Sequence, residues 1–178
     1  MIIQIKNKDT LHVDDFNFKC CIGKNGKSKN KVEGDKKTPV GFFSIENLYY
    51  RNDRVKKPST KLKCIKINKN MVWCDNPNNK KYYNKLTKTK NGINSEKLYR
   101  HDYKYNLMIP IKYNYPKSIK SKGSCIFIHL TNNYQPTAGC IALNKNDFLI
   151  MLKVINKKLK LESFNIFDQK YLILFLSM

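Results

Sequence analysis

One histidine and one cysteine lie close together in the chain, on either side of a polar loop. His129 ends the apolar run "CIFIHL", and Cys140 opens the apolar run "CIALN" after ten loop residues. Two neighbouring strands joined by such a loop would bring the imidazole and the thiol together. An imidazole beside a thiol lowers the thiol pKa and activates the sulfur as a nucleophile. The pattern therefore predicts a Cys–His pair for nucleophilic catalysis.

The residue before the cysteine suits the same chemistry. Gly139 allows unusual backbone dihedral angles and close approach of a substrate, and the N–H of Cys140 can face a developing oxyanion. The ordinary alternative is that His129 is a hydrogen-bonded core histidine and Cys140 a small buried residue. A metal site made of Cys125, His129 and Cys140 would lack a fourth ligand and the usual close pairing of ligands.

The composition is strongly basic, with a formal net charge of +22 over 178 residues. Only three of the 35 basic residues are arginine. A protein that reads bases or phosphates is expected to use more arginine, whose planar guanidinium binds them in a bidentate manner. We therefore expect a solvated lysine surface and no specific nucleic-acid partner. Such a surface would still attract polyanions, and a non-enzymatic polyanion-binding module is an alternative function.

The elements that must position the pair are mostly short strands. Apolar runs rich in β-branched and aromatic residues alternate with polar loops, up to "YLILFL" near the C-terminus. One helix is expected in "DFLIMLKVINKKLK", after Asn144 or Asn146 as N-cap, because Phe148, Leu152, Ile155 and Leu159 form one apolar stripe. The six cysteines show no disulfide framework. The chain is expected to be one mainly β domain, residues 1–178, with one or two helices.

Several segments resemble one known family in the right order. His129 followed by "PTAGCI" resembles the active-site segment of the YkuD-type L,D-transpeptidases. "EGDKKTPVGFF", residues 33–43, resembles their Thr-Pro-x-Gly-x-Phe segment. "YYRNDR", "WCDNPNN" and "SEKLYRHDYKYNLMIPIKYN" resemble segments of a compact single-domain branch. Several ordered matches are more specific than one motif, so the resemblance favours the catalytic interpretation of Cys140 and His129.

The resemblance implies a mixed β-sheet sandwich around a cleft that binds peptidoglycan peptide stems. Cys140 would attack the carbonyl of the third stem residue, D-alanine would leave, and a thioester would form, with His129 as general base. The N–H groups of Gly139 and Cys140 would hold the oxyanion, and Thr137 would orient the loop. The amine of a second stem would then take the acyl group and form a 3→3 cross-link. The resemblance implies no metal and no organic cofactor.

The same site allows a second enzymatic outcome. If water replaces the amine, the thioester is hydrolysed and the protein is an L,D-carboxypeptidase that trims D-alanine from recycled stems. Many family members also carry a histidine directly before the Gly-Cys pair and an arginine two residues after the cysteine. This sequence has Ala138 and Ala142 there.

The three arginines are candidates for binding the carboxylates of the stem. Arg51, Arg54 and Arg100 all lie in the family-like segments, where a guanidinium could grip a carboxylate with two hydrogen bonds. The alternative is that they form structural salt bridges with Asp53 and Asp102.

The N-terminal sequence bears on location. "MIIQIKNKDTLHVDDF" contains no visible secretory signal, because its apolar run ends after three residues. No apolar run in the sequence reaches the length of a membrane helix. The family implies the periplasm or cell envelope, and the absent signal makes the cytoplasm the alternative.

Overall fold

A computed structural model describes residues 2–89, 95–156 and 160–163. Its strands are short, as the runs of β-branched and aromatic residues predict. They are β1 (Ile2–Lys6), β2 (Thr10–Val13), β3 (Phe16–Cys21), β4 (Lys27–Ser28), β5 (Thr38–Pro39), β6 (Gly41–Ser44), β7 (Leu48–Tyr50), β8 (Cys64–Lys66), β9 (Met71–Cys74), β10 (Leu86–Lys88), β11 (Ser95–Lys97), β12 (Leu107–Pro110), β13 (Phe127–Leu130), β14 (Ile141–Leu143) and β15 (Lys160–Ser163).

Ten of these strands form one mixed sheet. Their order is β6-β15-β1-β2-β3-β14-β13-β12-β7-β8. The pairs β1/β15, β13/β14 and β7/β8 are parallel, and the other neighbours are antiparallel. A three-stranded sheet has the order β10-β9-β11, and β4 and β5 form a two-stranded parallel pair. The predicted mainly β fold with mixed sheets is confirmed.

Two apolar clusters fill the interior. The larger one packs the first three strands, the middle of the large sheet and the helix together. The smaller one is rich in aromatic side chains and packs the small sheet against the large sheet, around Trp73, Tyr105 and Phe127. Trp73 and Tyr105 both meet the Phe127 ring edge-on, with centroids 5.3 Å and 5.7 Å away. Edge-to-face contacts of this kind add stability beyond the area that they bury.

The predicted helix is present but shorter than its apolar pattern suggests. Helix α1 (Lys145–Val154) begins after Asn144, whose side chain accepts a hydrogen bond from the N–H of Asp147 at 2.9 Å. It buries Phe148, Met151 and Leu152. The prediction that it reaches residue 160 is wrong, because Ile155 has extended dihedral angles. The chain leaves the helix there to supply β15, which pairs with both β1 and β6.

Further predictions concern the C-terminal apolar positions, a second helix, the cysteines and membrane helices. Leu159 and the apolar run at residues 171–176 lie outside the described residues. A second helical segment is a single 3-10 turn, Lys104–Asn106. All six cysteines are free thiols; Cys64 and Cys125 are partly exposed and the others are buried. In the described parts of the chain, no helix is long and apolar enough to cross a membrane.

Candidate active site

The strands that carry the predicted pair are direct neighbours in the large sheet. β13 and β14 run parallel, with Ile128 opposite Ile141 and His129 opposite Ala142. Cys140 comes two residues before Ala142, so its side chain emerges on the same face as His129. The ten residues 131–140 carry the chain back along β13 to the start of β14. This connection is shorter than most connections between parallel strands. The structure therefore places the thiol and the imidazole on one face of two adjacent strands.

The Cys140 thiol lies between two backbone groups, and the residue is only 8% exposed. Its thiol donates to the carbonyl oxygen of Cys125 at 3.2 Å and accepts from the N–H of Phe127 at 3.4 Å. Burial raises the pKa of the Cys140 thiol to about 12, partly offset by the Phe127 N–H. The sequence-based expectation of a lowered thiol pKa is therefore wrong for this structure, because burial outweighs the neighbouring dipoles and charges. The thiol is protonated at rest.

His129 is also buried, with 6% of its surface exposed. Its Nδ1 lies 2.9 Å from the carbonyl oxygen of Leu130. A carbonyl oxygen only accepts, so Nδ1 carries the proton and Nε2 keeps its lone pair. Burial lowers the pKa of His129 to about 4, against the opposing effect of the Leu130 hydrogen bond. The imidazole is thus neutral near pH 7, in the tautomer that can accept a proton at Nε2.

An aromatic ring fixes the orientation of this imidazole. Tyr105 meets the His129 ring edge-on, with centroids 5.5 Å apart and planes at 71°. The Tyr105 ring is itself buried against Phe127, and the Arg100 guanidinium carbon lies 5.1 Å from its centroid. Tyr105 lies in the segment "YRHDYKYNLM" that resembles the family, but no pattern in the sequence indicated a role for it.

The loop before the cysteine is tied down by one threonine. The Thr137 hydroxyl donates to the carbonyl oxygen of Cys140 at 2.6 Å and accepts from the N–H of Gly139 at 3.1 Å. The backbone of Thr137 also bonds to that of Ile22 and Lys24. Because the Gly139 N–H is directed at Thr137, the predicted two-donor oxyanion site is not arranged in this conformation. The N–H of Cys140 is then the remaining donor of the two that were predicted.

Gly139 has a second anchor that sequence analysis missed. The buried hydroxyl of Thr38 donates to the Gly139 carbonyl oxygen at 2.9 Å and accepts from the N–H of Gly23 at 2.9 Å. Gly139 has φ +135°, and a Cβ added there would lie 2.8 Å from the carbonyl oxygen of Lys37. Only glycine fits this position without strain. The sequence signal was available, since Thr38 opens the Thr-Pro-x-Gly segment.

A scan of family models identifies the chain from its sequence. The model that matches describes the L,D-transpeptidase catalytic domain, YkuD, and it matches residues 3–160. The chain belongs to the YkuD family of L,D-transpeptidase catalytic domains. No curated protein and no solved structure gives a significant match. The family is generally associated with the cell envelope and with peptidoglycan-related substrates.

In this YkuD domain, the position two residues after the cysteine is closed to a long side chain. Ala142 is completely buried opposite His129 on one side and Cys21 on the other. The arginine that many family members carry there therefore has no room in this packing.

The three arginines join two family-like segments to each other. Arg51 is only 3% exposed, donates to both carboxylate oxygens of Asp53 at 2.8 Å and 2.6 Å, and stacks 3.5 Å from the centre of the Tyr99 ring. Arg54 donates to the carbonyl oxygen of Asp102 at 2.8 Å. Arg51 thus forms the salt bridge with Asp53 that the structural alternative expects, whereas Arg54 bonds to a backbone carbonyl. Binding of stem carboxylates by these arginines stays a prediction.

Arg100 contacts the Tyr105 ring, which in turn faces His129. It forms salt bridges of 2.6 Å with Glu96 and with Asp102, yet 31% of its side chain is exposed. The hydrogen bonds that Arg100 donates to Asp102 raise the pKa of the guanidinium, against the effect of burial. It is the one arginine of the three that combines partial exposure with contact to Tyr105.

The described residues also bear on metal binding. Within residues 2–89, 95–156 and 160–163, no group of three or more His, Cys, Asp or Glu side chains could hold a metal ion. Cys125 and Cys140 instead direct their thiols to backbone carbonyl oxygens, those of Trp73 at 4.0 Å and Cys125 at 3.2 Å.

Proposed function

We propose that this protein is a cysteine L,D-transpeptidase that acts on peptidoglycan stems, with Cys140 as nucleophile and His129 as general base. One observation supports this assignment most strongly: the thiol and a proton-accepting imidazole share one face of two adjacent parallel strands. We propose that residues 1–178 act as one catalytic domain, since the family match spans residues 3–160.

The neutral resting state sets the order of proton movements. As the Cys140 sulfur attacks the carbonyl carbon of the third stem residue, His129 Nε2 takes the thiol proton. The carbonyl oxygen becomes an oxyanion that accepts from the Cys140 N–H. When the tetrahedral intermediate collapses, the bond to the D-alanine nitrogen breaks and the imidazolium returns the proton to that nitrogen. D-Alanine leaves, and a thioester to Cys140 remains.

The second half of the reaction repeats these steps with a new nucleophile. The side-chain amine of an acceptor stem attacks the thioester carbon and gives a proton to His129. The carbon–sulfur bond then breaks, and the sulfur takes that proton back as a thiol. The product is a 3→3 cross-link between the two stems. Peptidoglycan stems are thus the proposed partners, and the cell envelope is the proposed location.

A second candidate is L,D-carboxypeptidase activity at the same site. The low exposure of Cys140 and His129 supports it, because a crowded site admits water more readily than the side chain of a second stem. Water would attack the same thioester and release a tripeptide stem. Stem recycling in the cytoplasm would then be the expected setting.

Mass spectrometry of disaccharide-tetrapeptides incubated with the purified protein separates these functions. Cross-linked dimers that lack one D-alanine would establish transpeptidation, and tripeptide monomers alone would establish hydrolysis. Cys140→Ala should abolish either product while circular dichroism stays unchanged. Cys64→Ala, at a cysteine outside the site, is the matched control. Turnover that survives in Cys140→Ala would contradict both activities, and an unreactive parent protein would favour polyanion binding.

A further inference from the structure

One lysine differs from the others in its surroundings. Lys31 is 3% exposed, and it is the one buried lysine among those whose side chains the structure describes. Its ammonium lies 2.6 Å from Asp35 Oδ1 and 3.4 Å from the carbonyl oxygen of Val32. Taking an ammonium out of water is costly even when it is paired, and a buried ion pair is often no more stable than apolar packing. Stability alone therefore does not explain a buried charge here.

The Lys31 side chain points to the loop that precedes the cysteine. Its methylene groups cover Gly123, where an added Cβ would lie 2.9 Å from Lys31 Cε. Its Nζ lies 3.6 Å from where a Cβ of Gly139 would be. Glycine at both positions leaves the space that the lysine occupies. The charge is thus placed beside the residue that precedes Cys140.

The lysine is held there by the carboxylate of Asp35, which has further hydrogen-bond partners. Besides Lys31, Asp35 accepts from the N–H groups of Val32 and Lys37, both at 2.9 Å. Burial alone would raise the pKa of Asp35, but these hydrogen bonds and Lys31 lower it below its usual value. The same short segment supplies the Lys37 carbonyl and the Thr38 hydroxyl that contact Gly139. The segment from Lys31 to Thr38 thus lies against the cysteine loop at Gly139.

We propose that Lys31 is a positioning residue for Cys140, whose ammonium stabilises the negative charge that develops on the sulfur and on the substrate oxygen during attack. This inference rests on the proposed function, since it requires Cys140 to be the nucleophile. Lys31 would supply a positive charge near the cysteine, where many family members carry an arginine and this chain has Ala142. No bond to Lys31 forms or breaks in the reaction.

Other titratable groups around the sulfur act in the same or the opposite direction. Glu96 and Cys21 raise the pKa of the Cys140 thiol and Lys31 lowers it, while burial has the largest effect. Tyr105 and Cys125 also interact with Cys140, His129 packs against Tyr105, and Asp35 pairs with Lys31. Lys31 is the cation in this set, and it favours the thiolate. Removing it should therefore raise the pKa of the Cys140 thiol.

The test is the pH dependence of Cys140 alkylation by iodoacetamide, followed by peptide mass spectrometry. At a pH well below the thiol pKa, a change of one unit in that pKa changes the thiolate fraction about tenfold. Lys31→Met should therefore lower the alkylation rate at pH 8, by about tenfold for each unit of pKa that Lys31 accounts for, whereas Lys31→Arg, which keeps the charge, should stay close to the parent. The matched control is Lys24→Met, at an exposed lysine whose backbone also contacts Thr137. Superimposable profiles for Lys31→Met and the parent would overturn the proposal.

A measurement on the unaltered chain covers the case in which Lys31→Met does not fold. The ratio of iodoacetate to iodoacetamide rates, in high salt, should be larger at Cys140 than at Cys64, because a nearby ammonium attracts the anionic reagent. Equal ratios would overturn the proposal. The proposed function has its own test: turnover that survives in Cys140→Ala rejects the enzyme assignment. An inactive Cys140→Ala with an unchanged Lys31→Met profile rejects the role of Lys31 alone.

Discussion

The two faces of the β13–β14 pair differ in composition and in packing. One face places Ile128 and Ile141 in the large aliphatic core, where they are completely buried. The other face places Phe127, His129 and Cys140 against an aromatic cluster that contains Tyr105 and Trp73. Both faces are buried, yet only the second contains groups that donate or accept protons. Strand alternation thus lets one short segment serve stability on one side and the proposed chemistry on the other.

The largest expected effect comes from removing the base on the polar face. His129→Ala should lower turnover of the donor stem by about 10³-fold, which lies within the usual range for a general base. The melting temperature should fall as well, because the truncation leaves a cavity beside the buried Tyr105 ring, so turnover is compared per folded molecule. Steady-state kinetics with a scanning calorimetry control measures both. Near-parental turnover would show that the two faces do not differ in function.

The converse result is expected on the aliphatic face. Ile128→Ala should lower the free energy of unfolding by about 3 kcal/mol, because it opens a cavity in a closely packed core. The effect on kcat of the folded fraction should be smaller than that of His129→Ala. Urea denaturation at 25 °C measures the stability change. A loss below about 1 kcal/mol would mean that the core relaxes around the cavity.

A smaller effect is expected for a substitution that acts on the loop before Cys140 than for those on the two strands. Thr38→Val removes the hydroxyl that joins Gly23 to Gly139 and keeps the shape of the side chain. It leaves a buried N–H and a buried C=O without this partner, at a cost of about 1–3 kcal/mol in stability. Turnover should fall roughly tenfold if Gly139 positions Cys140. Thr38→Ser keeps the hydroxyl and should recover most of the turnover.

The smallest expected effect is that of pH on kcat/KM. His129, with a pKa of about 4, is neutral above that pH, and Cys140, with a pKa of about 12, is protonated below that pH. The reactive neutral pair is therefore fully populated between these values. We expect a nearly flat profile between about pH 6 and pH 9. A bell-shaped profile centred in this interval would indicate a preformed thiolate–imidazolium pair instead.

The same pKa values also predict how His129 affects stability. The lowered pKa means that the unfolded chain binds a proton more readily than the folded one. Stability is therefore lost as the pH falls from about 6.5 towards 4. His129→Gln should reduce this acid sensitivity, as measured by urea denaturation at pH 4.5 and pH 7.5. An unchanged acid response would assign it to other groups.

Local pattern predicted the parts of the site that depend on neighbours in sequence. The alternation in "CIFIHL" correctly separated Ile126 and Ile128 from Phe127 and His129, and Asn144 was among the expected N-caps. Long-range contacts were not accessible in this way. The Thr38–Gly139 hydrogen bond joins residues 101 positions apart, and the burial that sets both pKa values is a tertiary property. Lys31 looks like any other lysine until its surroundings are known.

The position of β15 has a consequence for biosynthesis. This strand is made after the other strands that the structure describes, yet it lies between β6 and β1, two of the earliest. Until residues 160–163 leave the ribosome, one edge of β1 has no strand beside it. Unpaired edges promote association with other chains, and sheets closed by distant segments fold slowly. The nascent chain should therefore be prone to association with other chains until residues 160–163 have emerged and paired with β1.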